Sequence, residues 1–371
     1  MEILYPQDNS NNPRSAQIIK VVGVGGGGSN AVNKMVAANL FGVDFVAVNT
    51  DLQALRESSA PVKVQIGEKL TKGLGVGGDP AKGKKAAEES VEILRGTLKG
   101  SNMVFITAGM GGGTGTGAAP VISKIAKEEG ILTVGVVTKP FVFEGEMKMK
   151  QADEGIASLA PYVDALITIS NENVFHINNM IDDKTPWKVL FGFIDDVLRR
   201  SIQSVTDMIT LHGEKNIDFA DVETALRNSK TALIGIGESS GDVREAFEKA
   251  IENPMTEKFD ISSAKYLLVN IEGPSSLSTK QIKDFSDRIH DFGINENCFF
   301  KDGLRVGNKL DNKIKITVLA AGSQNDISKL NYDEPPKIGQ RTFDDIDGSE
   351  DASKIDFSKP AYTYWKTKKL K

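Results

Sequence analysis

The sequence predicts an α/β protein with a parallel sheet, a long central helix, a smaller α/β C-terminal domain and a disordered tail. Short β-branched apolar runs alternate with helix-like segments in the first half of the chain, a pattern typical of βαβ units and of a sheet covered on both faces. Apolar residues then recur at helical spacing over 186–211, which predicts one long helix. From Ser323 onward the periodicity is lost and acidic and lysine-rich clusters follow, which predicts disorder.

The individual elements follow from these patterns in chain order. Strands of the parallel sheet are expected at 18–22, 45–48, 62–66, 103–107, 131–137 and 165–169, with helices such as 30–40, 81–94 and 120–129 between them. Beyond the long helix, strands are expected at 231–236, 266–271, 298–300 and 313–320, and helices at 241–251 and 278–292. The chain thus divides into a flexible N-terminal extension, a sheet domain, a core helix, a C-terminal domain and a tail, at 1–17, 18–185, 186–215, 216–322 and 323–371.

Composition excludes several classes of function. The chain has 371 residues with 45 Lys and Arg against 50 Asp and Glu, and this absence of a basic surplus argues against a nucleic-acid coat. One cysteine, Cys298, permits no internal disulfide and no thiolate zinc cluster, and the three histidines are scattered, so we expect no protein metal site. No apolar run has the ~18 residues of a membrane span and the polar N-terminus shows no secretory signal. We therefore expect a cytoplasmic protein.

Glycines concentrate where a function is expected, since 20 of the 36 lie in the first 120 residues and glycine is costly unless the backbone must approach something closely. Residues 23–28 and 73–78 both match G-x-G-x-x-G. A dinucleotide-binding loop and a simple tight turn remain equally open for each of them. Residues 78–85 approach a P-loop but end in Lys85, without the magnesium-binding hydroxyl.

The third glycine-rich loop, 109–120, is more informative. It follows a predicted strand, contains six glycines and the residues Thr114 and Thr116, and is expected to open a helix at Pro120. Its amides can wrap an anion while the two hydroxyls donate further hydrogen bonds. Several such loops on one sheet indicate an oligophosphate ligand such as a nucleoside triphosphate.

This third loop resembles the signature loop of tubulin in its bacterial form. Further motifs follow the order of the tubulin/FtsZ family, at 23–33, 47–51, 73–80, 139–145 and 216–222. The resemblance covers about residues 18–322 and implies a Rossmann-like GTPase domain, a core helix and a smaller second domain. It implies a self-assembling cytoskeletal GTPase that polymerises head to tail and forms the scaffold of the mid-cell division ring.

The resemblance also implies the nucleotide contacts. Matching positions that would bind phosphate are Gly26, Gly27, Gly28, Ser29, Asn30, Gly113, Thr114 and Gly115, with Gly77 and Gly78 near the terminal phosphate. Glu144 would bind the ribose. Lys148 would do so too, but the family has arginine at this position, and lysine lacks the planar guanidinium fork of arginine. Phe191 would stack on the base. Asp195, or as second choice Asp196, would accept hydrogen bonds from guanine, which adenine cannot offer.

For hydrolysis, the resemblance implies that Asp218 and Asp221 reach the GTP of a neighbouring subunit and orient water. From the residues alone, these two acids could equally be an N-cap and a first-turn acid. Mg²⁺ would be held mainly through the phosphates.

Partners are expected to be other copies of the chain and, through the tail, membrane tethers or regulators. Residues 360–362 are either a divergent partner-binding peptide or part of a plain linker. Two alternatives remain: an NAD-dependent oxidoreductase built on 23–28, which leaves 109–117 unexplained, and a slow-hydrolysing filament-forming paralogue.

Overall fold

The computed structural model describes residues 17–176, 185–252, 261–287, 289–307 and 313–322. Its strands are β1 Ile19–Val24, β2 Val43–Asn49, β3 Val62–Gln65, β4 Met103–Gly109, β5 Leu132–Lys139, β6 Ala165–Ser170, β7 Lys230–Ser239, β8 Tyr266–Gly273, β9 Phe299–Val306 and β10 Ile314–Ala321. Its α-helices are α1 Gly25–Ala37, α2 Leu52–Glu57, α3 Glu68–Thr71, α4 Pro80–Glu89, α5 Val91–Leu98, α6 Thr114–Glu128, α7 Glu146–Leu159, α8 Trp187–Thr210, α9 Phe219–Leu226, α10 Val243–Ile251 and α11 Thr279–Asp287.

The strands form one sheet in the order β3-β2-β1-β4-β5-β6-β7-β10-β8-β9. The six strands from β3 to β6 are all parallel. The junction between the halves is narrow, because β6 and β7 pair only at Ala165 with Lys230 and at Leu166 with Thr231. Beyond it, β10 runs antiparallel to both β7 and β8, while β8 and β9 are parallel. A parallel half and a mixed half therefore share one continuous sheet.

Burial on both faces explains the apolar runs of the parallel half. In β4, Phe105 packs into a core with Met35 of α1 and Ile202 of α8. Its neighbour Ile106 points to the opposite face and packs with Ile122 of α6. A third core fills the mixed half around α10 and α11. The predicted α/β class is thereby confirmed.

Several predicted helix boundaries are wrong. Helix α1 begins at Gly25 rather than at residue 30, and the single helix expected at 81–94 is α4 and α5, which meet at Ser90. Helix α6 begins at Thr114, not at Pro120, which lies inside the helix. The glycines of its first turns allow α4 to pack closely against it, since a Cβ on Gly117 would lie only 2.0 Å from the carbonyl oxygen of Pro80. The single helix expected at 278–292 is α11 followed by a separate 3₁₀ turn at Ile289–Phe292. The predicted tail, and the predicted extension up to residue 16, lie outside the described residues. No described helix has the length and apolarity to cross a bilayer.

Candidate functional site

The three glycine-rich loops meet at the carboxyl edge of the parallel strands. A Cβ on Gly25 would lie 2.8 Å from the amide nitrogen of Gly115, and one on Gly113 would lie 3.0 Å from the carbonyl carbon of Gly78. The backbones are therefore in direct contact, and side chains at these positions would separate them. We call this arrangement of loops 23–28, 73–78 and 109–117 the glycine cradle.

One side of the glycine cradle is open. A Cβ added to Gly26, Gly77 or Gly78 would meet no atom within 4 Å. All three residues are exposed. Their backbone faces a space that a ligand can enter.

Two of the helices that begin at the glycine cradle, α1 and α6, have no side-chain cap. Neither has an acidic residue in its first turn. Aspartate side chains cap four other helices, at Asp51, Asp79, Asp218 and Asp242, whereas α3, α5, α7 and α8 also have no side-chain cap. The hydroxyl of Ser29 in α1 is also buried without a hydrogen-bond partner. Uncapped amides at two helix N-termini favour an anion, and the cradle therefore fits phosphate groups.

The threonine hydroxyls hold the loops together. The hydroxyl of Thr114 lies 2.7 Å from that of Thr50, which follows β2. The hydroxyl of Thr116 accepts a hydrogen bond from the amide of Gly111 at 2.9 Å. Both hydroxyls thus stabilise the loops in this structure, and Thr116, which only accepts here, keeps its O–H as a donor. A contact of either hydroxyl with an anion stays a prediction.

The expected ribose pair lies beside the third loop. Lys148 donates to Glu144 at 3.0 Å, and Glu144 also accepts from the amide of Phe141 at 3.0 Å. A Cβ on Gly111 would lie 2.8 Å from the carbonyl oxygen of Lys148. The half-exposed lysine thus pairs with Glu144, and a contact of this pair with ribose stays a prediction.

The structure distinguishes the two acids expected to recognise the base. Asp196 is bound by Arg199 and Arg200, each at 2.7 Å. Burial raises the pKa of Asp196, but these hydrogen bonds outweigh it and bring the pKa below its usual range. Burial raises the pKa of Asp195 to about 6, against the opposing charge of Lys34. Since the arginines engage Asp196, the carboxylate of Asp195 is the better candidate for a ligand.

Asp195 lies where α1 and α8 pack together. Lys34 of α1 donates to the carbonyl of Gly192 in α8 at 2.6 Å. Phe191 is exposed on the same helix, edge-on to Phe141 with ring centroids 5.6 Å apart. Helix α8 thus carries an exposed aromatic ring and an acid close together in sequence, and their contact with a nucleobase stays a prediction.

Other residues of this region escaped the sequence reasoning. Trp187 stacks near Phe191 with centroids 6.2 Å apart. Asn171 follows β6 directly, and its side-chain oxygen is buried without a partner. The only signal for Asn171 was a polar residue placed directly after a buried strand.

The two expected hydrolytic acids lie beyond the far end of α8. The amide of Asp221 donates to Asp218 at 3.0 Å, and the amide of Asp218 donates back to Asp221 at 2.9 Å. This reciprocal pair caps α9, so the capping interpretation is correct for the single chain. From Asp195 to Thr210 the helix rises about 22 Å at 1.5 Å per residue. We call residues 211–221 the acid loop.

Fold and site geometry together are those of an α/β protein whose glycine cradle, at the carboxyl edge of a parallel sheet, fits phosphate groups. The sequence matches the Tubulin/FtsZ family GTPase domain over residues 18–179 and the FtsZ family C-terminal domain over 230–324. A solved FtsZ dimer from M. jannaschii, described as empty, is 38% identical with a TM-score of 0.76, covering 84% of this chain and 90% of that one. The chain belongs to the tubulin/FtsZ family of GTPases, and the resemblance predicted from its motifs is confirmed.

More distant structures share the fold. CetZ2 from Haloferax volcanii, solved as a GTPγS-bound protofilament, is 22% identical with a TM-score of 0.70, over 84% of this chain and 95% of that one. CetZ1 from the same organism, a GDP-bound monomer, is 21% identical with a TM-score of 0.70, over 83% and 95%. Family membership makes the ligand a guanine nucleotide and favours a filament-forming GTPase over an NAD-dependent oxidoreductase.

Proposed function

We propose that this protein is a GTP-dependent filament protein whose active site is completed by the next subunit. One observation carries the proposal. The glycine cradle and the acid loop lie at opposite ends of α8, so one chain cannot bring its own acids to its own nucleotide. Head-to-tail stacking would place the acid loop of one copy over the glycine cradle of the next, and such contacts produce filaments when they do not close into a ring.

In this proposal the glycine cradle binds the phosphates through backbone amides of the first and third loops. Gly77 and Gly78 lie toward the terminal phosphate, and Glu144 and Lys148 contact the sugar. Asp195 accepts hydrogen bonds from the guanine N1–H and exocyclic amine, with Phe191 stacked on the ring.

Mg²⁺, when bound, offsets phosphate charge. The carboxylates next to the loops, Asp51 and Asp79, each cap a helix, which is consistent with an ion held mainly by the nucleotide.

Hydrolysis in this proposal depends on Asp218 and Asp221 of the adjoining subunit. Their carboxylates orient a water and accept its proton, assistance commonly worth about 10²–10⁴ in rate. Loss of the terminal phosphate then weakens the contact that GTP held together. Assembly and turnover are therefore coupled through one shared site.

Exposed apolar side chains around the glycine cradle support self-association. Leu74 in the second loop is 84% exposed and Trp187 at the start of α8 is 60% exposed. Val142 and Met147, which follow β5, are also exposed. Apolar surface concentrated around one site marks an interaction face.

The cellular role we propose is the scaffold of the division ring at mid-cell in the cytoplasm, with tethers or regulators recruited by the tail. The motifs matched to FtsZ and the 38% identity to the M. jannaschii protein support this role. A filament with another duty in the cell is the alternative that the CetZ structures suggest.

The test measures GTP hydrolysis and light scattering across a range of protein concentrations, for the wild type and Asp221→Ala. Turnover per subunit should rise with concentration in the wild type. Asp221→Ala should scatter light with GTP but release little phosphate. A slow paralogue would show this second behaviour already as wild type. Turnover that is independent of concentration would refute the shared site.

A further inference from the structure

Strand β9 supports the acid loop along its length. The backbones of Lys215 and Leu304 exchange two hydrogen bonds, at 3.1 and 2.8 Å. The amide of Val306 donates to the side chain of Glu214 at 2.8 Å. Lys215 also forms an ion pair with Asp302. The position of the loop is thus already determined by backbone pairing and by one salt bridge.

One further contact from β9 reaches an acid of the proposed active site. The ammonium group of Lys301 binds Oδ2 of Asp221. The same oxygen accepts the hydrogen bond from the amide of Asp218 at 2.9 Å. With two donors on Oδ2, the carboxylate is fixed in rotation and Oδ1 is left for a water.

The contact is sheltered from solvent. The side chain of Asp221 is 15% exposed and that of Lys301 is 31% exposed. Burial raises the pKa of Asp221, but the hydrogen bonds and charge of Lys301, together with the hydrogen bonds from Asp218, outweigh it and lower the pKa. The charged groups that act on Asp221 are therefore Lys301 from β9 and Asp218 from its own loop. They keep Asp221 ionised and ready to accept from water.

We propose that Lys301 is a positioning residue for GTP hydrolysis, which fixes Asp221 as an ionised carboxylate with one oxygen directed to the attacking water. The inference rests on the proposed function, because it gives Lys301 a role in turnover rather than in folding. The capping pair, the strand pairing and the Lys215–Asp302 bridge hold the loop without it.

The experiment compares Lys301→Met and Lys301→Arg with the wild type, and uses Lys249→Met as the matched control. Lys249 forms an exposed ion pair with Glu245 at 2.7 Å in α10, away from the acid loop. Four quantities are measured: kcat for GTP as a function of pH, GTP affinity, sedimentation with a non-hydrolysable GTP analogue, and melting temperature.

Lys301→Met should lower kcat about 10- to 100-fold, the scale of a misplaced reacting group. The acidic limb of its pH profile should move to higher pH, because loss of the ammonium group raises the pKa of Asp221. Lys301→Arg should restore both. GTP affinity and sedimentation should equal those of the wild type, and Lys249→Met should be unchanged throughout.

Several outcomes separate this inference from the proposed function. Should Lys301→Met fail to fold, Lys301→Gln keeps a donor without the charge and must still move the acidic limb. A wild-type kcat and pH profile in the uncharged variant overturns the role of Lys301 alone. Lost sedimentation assigns Lys301 to assembly instead, which also overturns it. A wild type that does not hydrolyse GTP overturns the proposed function itself.

Discussion

The glycine cradle and the acid loop are built by opposite means. The cradle is made of backbone: glycines in contact, two uncapped helix N-termini and threonine hydroxyls that link the loops. The acid loop presents charged side chains, and it is held by the capping pair, by backbone pairing with β9 and by two lysine ion pairs. A backbone site does not depend on ionisation, but where its glycines are in contact it has no room for a side chain. A side-chain site tolerates changes of shape but depends on charge.

Adding a methyl group to a glycine of the glycine cradle should have the largest effect. Gly28 lies in α1, where alanine would ordinarily stabilise the helix by up to about 1 kcal/mol. A Cβ at Gly28 would, however, lie 2.3 Å from the carbonyl oxygen of Thr107 in β4. Gly28→Ala should therefore destabilise the protein by about 3 kcal/mol and abolish GTP binding, measured by denaturant unfolding and nucleotide titration.

The matched variant is Gly26→Ala, since no atom lies within 4 Å of that Cβ. Its unfolding free energy should stay within about 0.5 kcal/mol of wild type, while GTP binding weakens because the methyl group enters the ligand space. A stabilised Gly28→Ala protein with normal GTP affinity would contradict the packing described for the cradle.

Removing a charge from the acid loop should have the second-largest effect. Asparagine caps helices as well as aspartate, so Asp218→Asn removes charge and little else. Turnover should fall by about 10²–10⁴, while GTP affinity and melting temperature remain those of the wild type. An unchanged turnover in assembled filaments would exclude Asp218 from water orientation.

Asp195 is a titrating side chain of the proposed nucleotide site, so this part of the site should depend on pH, unlike the glycine backbone. Its pKa is raised from 3.8 to about 6, so the contribution of Asp195 to the stability of the nucleotide-free protein is fully present below about pH 4 and is lost as pH rises through 6. Guanine needs the ionised form, so GTP affinity should fall up to about tenfold per pH unit below 6. Nucleotide titrations from pH 5 to 8 measure this.

Asp195→Asn provides the control for this effect. It should bind GTP more weakly and show no such pH dependence, and above pH 6 its empty form should be more stable than wild type. If the GTP affinity of the wild type does not change across this pH range, Asp195 is not the residue that recognises the base.

The sequence predicted the cradle better than the acid loop, for a physical reason. Glycine clusters are local signals, and the sheet aligns them because parallel strands share a carboxyl edge. The contact between Thr50 and Thr114 joins residues 64 apart, and that between Lys301 and Asp221 joins residues 80 apart. No periodicity encodes such pairs. The early start of α6 was missed because Pro120 is typical of a first helical turn.

Sheet order has a consequence for synthesis on the ribosome. Strand β10 lies between β7 and β8 although it follows both in the chain. Val318 is paired with Gly235 on one side and with Val269 on the other. While the intervening residues are translated, β7 and β8 emerge with unpaired edges, a state prone to association. All six strands of the parallel half have been synthesised by Ser170, so the nascent chain can pair the strands of the parallel half long before those of the mixed half.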